Sequence, residues 1–406
     1  MSEASQALAQ YVRVEAGHLV ASLTRQFGNF DVAEEAVQDA IVEAVRRWPD
    51  AGVPREPGAW LRVTARRKAT DRLRREARLA GRLAVLAEFA KVDAEAESPL
   101  ADDRLVLMFM CCHPSLSREG QVALTLRCLL GLTMAQLAKA FLTSEATMTK
   151  RIVRAKRKIV EARVPFAVPA VAEAKSRLGE VLTSIYVMFN EGYLSAGPDP
   201  SDREDLADDA EWLARLVHEL MPAEPEVIGL LALIRLHQAR RRARFNAEGI
   251  VLLRNQDREL WDRPTIESAL ELLNSALRMR QPGLYQLQAA IAGCHAMARS
   301  WEATDWSLIV TLYDRLVEIS ESPVAQLNRA IALRHRDGPA AALAAIDPLA
   351  GRLDSYHLYH AARAEFLREL GRPREAAEAD HRAAALTANP AEHKLLLSRI
   401  AGYEEV

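Results

Sequence analysis

The sequence predicts an all-α fold, and three observations lead to that prediction. Ala, Leu, Arg and Glu dominate the 406 residues, and apolar side chains recur at intervals of three and four. No segment shows the alternating Val, Ile, Thr and Tyr pattern of β-strands. Segments rich in Pro and Gly interrupt the helical pattern at 48–58, 94–99, 164–169 and 195–200. We therefore expect two small helical domains, the second a helix-turn-helix, followed by a larger domain of repeat-like helices.

Composition excludes several classes of protein before any motif is considered. Half of the residues are apolar and 27% are charged, which suits two or three domains with hydrophobic cores and excludes a disordered or fibrous chain. The four cysteines are too few for the disulfide framework of a small secreted protein. Since no secretory signal pattern and no apolar stretch of ~20 residues is present, we expect a soluble, cytoplasmic protein that does not contact a membrane.

Charge is distributed unevenly, although the formal net charge is only -2. Residues 1–165 carry 26 Lys and Arg against 20 Asp and Glu, whereas the remainder carries 27 against 35. The basic residues concentrate in two clusters, within 62–82 and 150–163, each on a predicted helix with an apolar stripe. A single basic cluster is often no more than a solvated helix surface. Two such clusters favour nucleic acid as a partner.

The first domain is predicted to contain two informative helices. The helix over 31–48 has acidic residues in its first turn, which the helix dipole favours. Its apolar stripe is formed by Val37, Ile41, Val45 and Trp48. In the helix over 57–75, the apolar positions are Leu61, Ala65, Ala69 and Leu73. This second stripe leaves the arginine side of the helix free for a partner.

The segment 132–156 predicts a helix, a tight turn and a second helix. Thr133 and Gln136 have the spacing of a capping box, which starts the first of these helices. On the second helix, the stripe expected to pack is formed by Met148, Ile152, Ala155 and Ile159. The stripe expected to face outward is formed by Thr147, Arg151, Arg154 and Lys158. In a helix-turn-helix such a face enters the DNA major groove, although an ordinary helical hairpin with a charged surface has the same pattern.

Together these segments resemble the extracytoplasmic-function (ECF) sigma factors of bacterial RNA polymerase. The helix over 31–48 is similar to the one that binds core polymerase, and the helix over 57–75 to the one that engages the melted downstream promoter element. The helix-turn-helix is similar to the domain that reads the upstream element. Their order and separation match over roughly the first 165 residues. Residues 103–114, 189–193 and the long C-terminal extension resemble a subgroup that carries a helical domain behind the two sigma domains.

The resemblance implies a division of the chain. It consists of a region 2 domain (1–90), a linker (91–102), a region 4 helix-turn-helix domain (103–165), a connector (166–200) and a regulatory domain (201–406).

The resemblance also implies site residues. Contacts to the downstream element fall on Trp60, Arg62, Arg66, Arg67, Lys68, Arg74 and Arg75, and Trp60 would either stack on a base or pack between helices. Contacts to the upstream element fall on Ser144, Thr147, Lys150, Arg151 and Arg154. Polymerase contacts fall on Asp39, Glu43 and Trp48. The regulatory connector is Phe189, Asn190, Glu191, Gly192 and Tyr193.

No residue pattern supports catalysis. The adjacent Cys111, Cys112 and His113 lack the spacing of a tetrahedral metal site, so buried thiols are the favoured interpretation for them and for Cys294. Phosphate loops, dinucleotide fingerprints and hydrolase motifs are absent from the sequence. We therefore expect a protein that is not an enzyme and has no cofactor or bound metal, with core RNA polymerase and promoter DNA as its partners.

The C-terminal part contains two similar segments, 328–346 and 361–379. Their glycines, Gly338 and Gly371, are 33 residues apart, near the ~34-residue period of tetratricopeptide repeats. Such a domain would bind protein segments or contact the basic sigma domains within the same molecule, which suggests control in cis. Two alternatives remain: a single-site helix-turn-helix regulator with a helical sensor or protein-binding domain, and a scaffold that binds only protein.

Overall fold

A computed structural model describes residues 16–79, 103–141, 143–162, 164–166, 171–194, 201–246, 249–387 and 390–404. The chain divides into two compact units, Met1–Met188 and Phe189–Val406, which are called the N-terminal and C-terminal units below. The boundary between the units falls inside α8 (Val171–Leu194), within the predicted connector 166–200. The predicted linker 91–102 lies outside the described residues.

The N-terminal unit begins with α1 (16–27), α2 (Phe30–Ala51) and α3 (Pro57–Leu79). Asn29 starts α2 because its side chain accepts a hydrogen bond from the Val32 amide at 3.1 Å. The buried stripe of α2 follows Val37, Ile41, Ala44 and Trp48. Val45 was expected on this stripe, but its side chain is 53% exposed. The helix period allows steps of three and of four, and the step of three from Ile41 reaches the buried Ala44 instead.

The remaining helices of this unit are α4 (Asp103–Cys111), α5 (Arg118–Leu130), α6 (Met134–Ala140), α7 (Glu145–Glu161) and most of α8. The predicted capping box at the start of α6 is confirmed. The Thr133 amide donates to Gln136 Oε1 at 2.8 Å, and the Gln136 amide donates to Thr133 Oγ1 at 3.2 Å. Ser144 caps α7, since its hydroxyl accepts from the Thr147 amide at 3.2 Å. These two caps satisfy backbone amides at the N-terminal ends of α6 and α7.

The C-terminal unit is built mainly from helices that pack in succession. They are α9 (Ser201–Leu220), α10 (Pro225–Gln238), α11 (Arg263–Arg278), α12 (Leu284–Met297), α13 (Trp306–Ser320), α14 (Pro323–Asp337), α15 (Pro339–Ile346), α16 (Ala350–Leu353), α17 (His357–Glu369), α18 (Pro373–Leu386) and α19 (Pro390–Glu404). Strands β1 (Phe245–Asn246) and β2 (Gly249–Ile250) form a short antiparallel ribbon in which Phe245 pairs with Ile250. Two residues per strand are too few to show an alternating pattern, so the sequence did not predict this ribbon.

Two helical hairpins cover the similar segments of the C-terminal part. Helices α14 and α15 meet at Gly338, with φ of 91°, and α17 ends close to Gly371, with φ of 71°. Glycine adopts these positive angles without the steric cost that other residues incur. The hairpins share one core, which contains Leu327, Ala330, Ala342, Ile346, Phe366 and Leu367. The assignment of these hairpins as tetratricopeptide repeats stays a prediction.

Candidate nucleic-acid and polymerase interface

The second helix of the helix-turn-helix has the two faces that its sequence predicts. Met148, Ile152, Ala155 and Ile159 on α7 are at most 4% exposed, which confirms the packing stripe. Thr147, Lys150, Arg154 and Lys158 are exposed, whereas Arg151 is half-buried. The helix therefore presents a cationic surface next to a fully packed one. This arrangement is what insertion into a DNA groove requires.

A groove of about 250 Å³ runs along the cationic face of α7 and the start of α5. The Arg151 guanidinium lies at its wall, 2.8 Å from the Glu119 carboxylate and 5.4 Å from the centre of the Phe141 ring. These two contacts hold the Arg151 side chain in one orientation. The Ser144 hydroxyl accepts a hydrogen bond from the Thr147 amide and lies 2.9 Å from the Thr147 hydroxyl, and its contact with DNA stays a prediction.

The second cationic face lies on α3. Its exposed members are Arg62, Arg66, Arg67, Arg74 and Arg75. Lys68 is half-buried and its Nζ lies 2.8 Å from Glu43, while Arg67 lies 3.6 Å from the same carboxylate. The hydrogen bond from Lys68 lowers the pKa of Glu43 despite an opposing effect of burial, with smaller contributions from Lys68, Arg47 and Arg67 charges.

Acidic residues of α2 thus face basic residues of α3. Arg72 lies 2.5 Å from Glu35 and 3.9 Å from Asp39, next to the Glu43 pair. Two residues expected to contact polymerase, Asp39 and Glu43, therefore pair with residues of the cationic helix. The sequence predicted both charged surfaces but not that they neutralise each other.

The two tryptophans of this unit pack against each other. Trp48 is 2% exposed, and the Trp60 ring meets it edge-on with centres 5.6 Å apart. Trp48 continues the buried stripe of α2, as its place on the apolar stripe indicated, and its contact with polymerase stays a prediction. For Trp60 the contact favours the packing role. The exposed apolar side chains of α2 are Val42 (40%) and Val45 (53%), which sequence reasoning missed.

A buried ion cluster joins α2 to α5 and α7. The Glu34 carboxylate, with a side chain 1% exposed, lies 2.5 Å from Arg127 Nε and 2.6 Å from Lys156 Nζ. Asp31 lies 2.6 Å from the same Lys156 nitrogen. Burial alone would lower the pKa of Lys156, but Glu34 and Asp31 outweigh it and raise that pKa above its usual value. The cluster was missed because Glu34 and Lys156 are far apart in sequence and both were interpreted as surface charges.

The cysteines are confirmed as buried thiols. Cys111, Cys112, Cys128 and Cys294 are all free and buried, and burial raises the pKa of Cys112 to about 11. The described residues contain no group of three or more His, Cys, Asp or Glu that could hold a metal ion. Within the described ranges, no helix combines the length and apolar character needed to cross a bilayer.

Two cationic helical faces on one compact unit, one of them a helix-turn-helix, define a DNA-binding protein with two separate contact surfaces. Residues 12–79 match the family described as Sigma-70 region 2, and residues 107–159 match Sigma-70, region 4. The chain belongs to the ECF-type sigma factors of RNA polymerase and carries a C-terminal extension. The alternative of a single-site regulator is not favoured, because both sigma regions are present. Sigma factors in general are not enzymes.

One further family match falls on the extension. Residues 177–277 match a family of unknown function (DUF6596). The chain is 46% identical over 382 residues to "Uncharacterized protein R00370" of Rhizobium meliloti (strain 1021), which covers 91% of this chain and 90% of that protein. No solved structure matches the chain.

Proposed function

We propose that this sigma factor directs core polymerase to its promoters through the two cationic faces on α3 and α7, and that its C-terminal unit modulates this activity in cis. One observation supports the role in promoter recognition. The cationic face of α3 lies in the part that matches sigma region 2, that of α7 lies in the part that matches region 4, and both belong to the N-terminal unit. Neutralisation of phosphates by these cations supplies affinity, and side chains that reach base edges supply specificity.

On α7, Arg151 and Arg154 read the upstream element and are flanked by Thr147 and Lys150. Arg154 is exposed beside the groove, and Arg151 is oriented by Glu119. Ser144 supports this surface by capping the helix on which the arginines lie. An Arg fork that holds a guanine is worth about 1–3 kcal/mol of discrimination against the wrong base.

On α3, the exposed Arg62, Arg66, Arg74 and Arg75 contact the DNA backbone of the downstream element. Arg67 and Lys68 also contact the DNA backbone, once their ion pairs with Glu43 are replaced by ion pairs with a phosphate group. The polymerase surface lies on α2, where the exposed Val42 and Val45 accompany Asp39. We assign Trp48 and Trp60 to the packing of α2 against α3.

The test is transcription from fragmented genomic DNA by core polymerase with and without the 406-residue chain. We expect discrete new start sites, and their absence would refute the proposal. At these sites Arg154→Ala should lower initiation by about tenfold or more, which follows from the loss of one base contact. Arg157→Ala is the matched control, since Arg157 is exposed on the same helix but does not line the groove and pairs with Glu161 at 3.3 Å.

Control in cis is supported by the charge of the two parts of the sequence. Residues 166–406 carry 27 basic against 35 acidic residues, opposite in sign to the sigma regions. The domain boundaries 1–90, 103–165 and 201–406 and the connector role of 189–193 belong to this proposal. A chain that ends after residue 194 retains all of α8, whose Ser184 hydroxyl donates to Gln121 within the N-terminal unit. Transcription equal to that of the 406-residue chain would refute control in cis.

A further inference from the structure

The C-terminal unit contains a group of arginines around aromatic rings, which we call the arginine cluster: Arg240, Arg244 and Arg258. The guanidinium carbons of Arg240 and Arg258 lie 5.8 Å and 4.5 Å from the centre of the Trp261 ring. The guanidinium carbon of Arg244 lies 3.7 Å from the centre of the Tyr193 ring. Three positive charges are thus held next to flat rings in one part of the unit.

The hydrogen bonds of the cluster go to uncharged groups. Arg258 Nη1 donates to the carbonyls of His295 and Ala298, each at 2.7 Å, at the end of α12. Arg244 Nη1 donates to the Tyr193 carbonyl at 2.6 Å. Arg240 Nη2 lies 2.9 Å from His237 Nδ1.

These contacts leave positive charge uncompensated. A helix C-terminus carries only about half a negative charge, which is less than one guanidinium. Arg240 is 9% exposed, and no carboxylate in the described residues forms an ion pair with any of the three arginines. Arg258 Nη2 is also buried, without a hydrogen-bond partner in the part of the chain that the structure describes. A buried cation without a counter-charge is costly in a folded protein.

Two other arginines of this unit, by contrast, do have carboxylate partners. Arg235 lies 3.2 Å from Glu211, and Arg368 lies 2.7 Å from the buried Asp380. Two carboxylates whose charges act on Arg258 and Arg244 have partners elsewhere. Glu302 hydrogen-bonds to Ser300, and Glu392 lies 2.8 Å from His357.

The electrostatic surroundings agree with an excess of positive charge. Burial lowers the pKa of Arg258, and the neighbouring Arg263 and Arg240 lower it further. Burial, followed by Arg240 and Arg258, lowers the pKa of His295 to about 4. The imidazole is therefore neutral near pH 7 and adds no further positive charge.

We propose that the arginine cluster is a binding site for a small ligand that carries a phosphate or pyrophosphate group. Arginine forks match the oxygens of this group in geometry, and its charge of about -2 per phosphate suits several cations better than a single carboxylate does. The ligand occupies the C-terminal unit, so it is distinct from the DNA that binds the sigma regions.

Isothermal titration of the 406-residue chain with sodium pyrophosphate, ATP and citrate tests the site. We expect saturable binding of pyrophosphate or ATP at least about tenfold tighter than citrate, and binding at least about tenfold weaker in Arg240→Gln. Equal affinities for pyrophosphate and ATP identify the phosphates as the recognised group, and tighter binding of ATP adds a contribution from the base. Arg315→Gln is the control, since Arg315 is exposed and pairs with Glu318 in the same unit.

Several results would overturn the proposal. The proposal is wrong if neither pyrophosphate nor ATP binds saturably, or if citrate binds as tightly as they do. It is also wrong if Arg240→Gln and Arg315→Gln weaken the binding of these ligands equally. Binding of duplex DNA by the cluster without binding of pyrophosphate or ATP would also overturn it. If Arg240→Gln fails to fold, the melting temperature of the wild-type chain provides the test. Pyrophosphate should raise this melting temperature more than chloride does at equal ionic strength. An equal effect of the two salts would contradict the proposed binding site.

Discussion

The replacement Glu34→Gln should lower the free energy of unfolding of the N-terminal unit by about 3 kcal/mol. Loss of one partner from a buried ion pair costs about 3–5 kcal/mol, because the remaining charge stays buried without compensation. Glu34 is 1% exposed and pairs with Arg127, which is 11% exposed. Lys156 retains Asp31 at 2.6 Å, so most of the loss falls on Arg127 and the lower end of that range applies.

Native-state hydrogen exchange of the 406-residue chain measures this effect locally. Amides of α2, α5 and α7 that exchange through opening of the unit should exchange about 100-fold faster in Glu34→Gln, since 1.4 kcal/mol corresponds to a factor of ten. The far-ultraviolet circular dichroism of the variant should be unchanged at 25 °C if the unit remains folded. This measurement does not depend on any promoter or polymerase.

Glu35→Gln is the matched control on the adjacent position. The Glu35 side chain is 37% exposed and pairs with Arg72. It also lies 3.5 Å from Lys156, which retains Glu34 and Asp31 at 2.6 Å, so the removal of Glu35 should cost at most about 1 kcal/mol. Exchange in Glu35→Gln should therefore rise by less than about tenfold. Equal acceleration in the two variants would refute the argument that burial sets the strength of these ion pairs.

Two further predictions concern Gly229, with Gly179 of α8 as its comparison, and two histidines of the C-terminal unit. Gly229→Ala should lower the free energy of unfolding of the C-terminal unit by about 1–3 kcal/mol, because the added Cβ would lie 2.8 Å from the backbone nitrogen of Gln286. Gly179→Ala, at an exposed position of α8, adds a Cβ with no atom within 4 Å in the described residues and should be neutral or stabilising. Urea unfolding of each variant measures the difference. Burial first, then nearby arginines, lower the pKa of His295 and His335 from 6.5 to about 4. The unfolded chain therefore binds protons that the folded chain does not, so stability should fall between pH 6.5 and 4 by up to about 1.4 kcal/mol per pH unit for each histidine. A melting temperature that is independent of pH across this window, or an unchanged slope in His335→Phe, would contradict the assignment.

Local sequence rules predicted the helix-turn-helix in detail. The capping box of Thr133 and Gln136 forms as expected because both partners lie within one helical turn. The stripe from Met148 to Ile159 packs because its spacing repeats with the helix period. Patterns of this kind depend on neighbours in sequence, and the fold class follows from many of them acting together.

Features that depend on distant partners were not predictable in the same way. The stripe of α2 was placed on Val45, which is 53% exposed, because steps of three and four from Ile41 are both allowed and only packing against α3 selects Ala44. Glu34 has the pattern of a favourable acid in the first turn of a helix, and nothing near it in sequence indicates that Lys156 and Arg127 enclose it.

Burial also separates the cations that DNA can recruit from those that serve the fold. Lys68 and Arg67 face Glu43 near the surface, where an ion pair contributes about 0–1 kcal/mol, so exchange of that carboxylate for a phosphate costs little. Lys156 lies in the same basic stretch as Arg154, yet its charge is committed to Glu34 in the interior. The number of Lys and Arg in the two basic clusters therefore overestimates the charge offered to DNA. The formal net charge of only -2 arises because residues 166–406 carry 35 acidic against 27 basic residues, which offsets the excess of basic residues in 1–165.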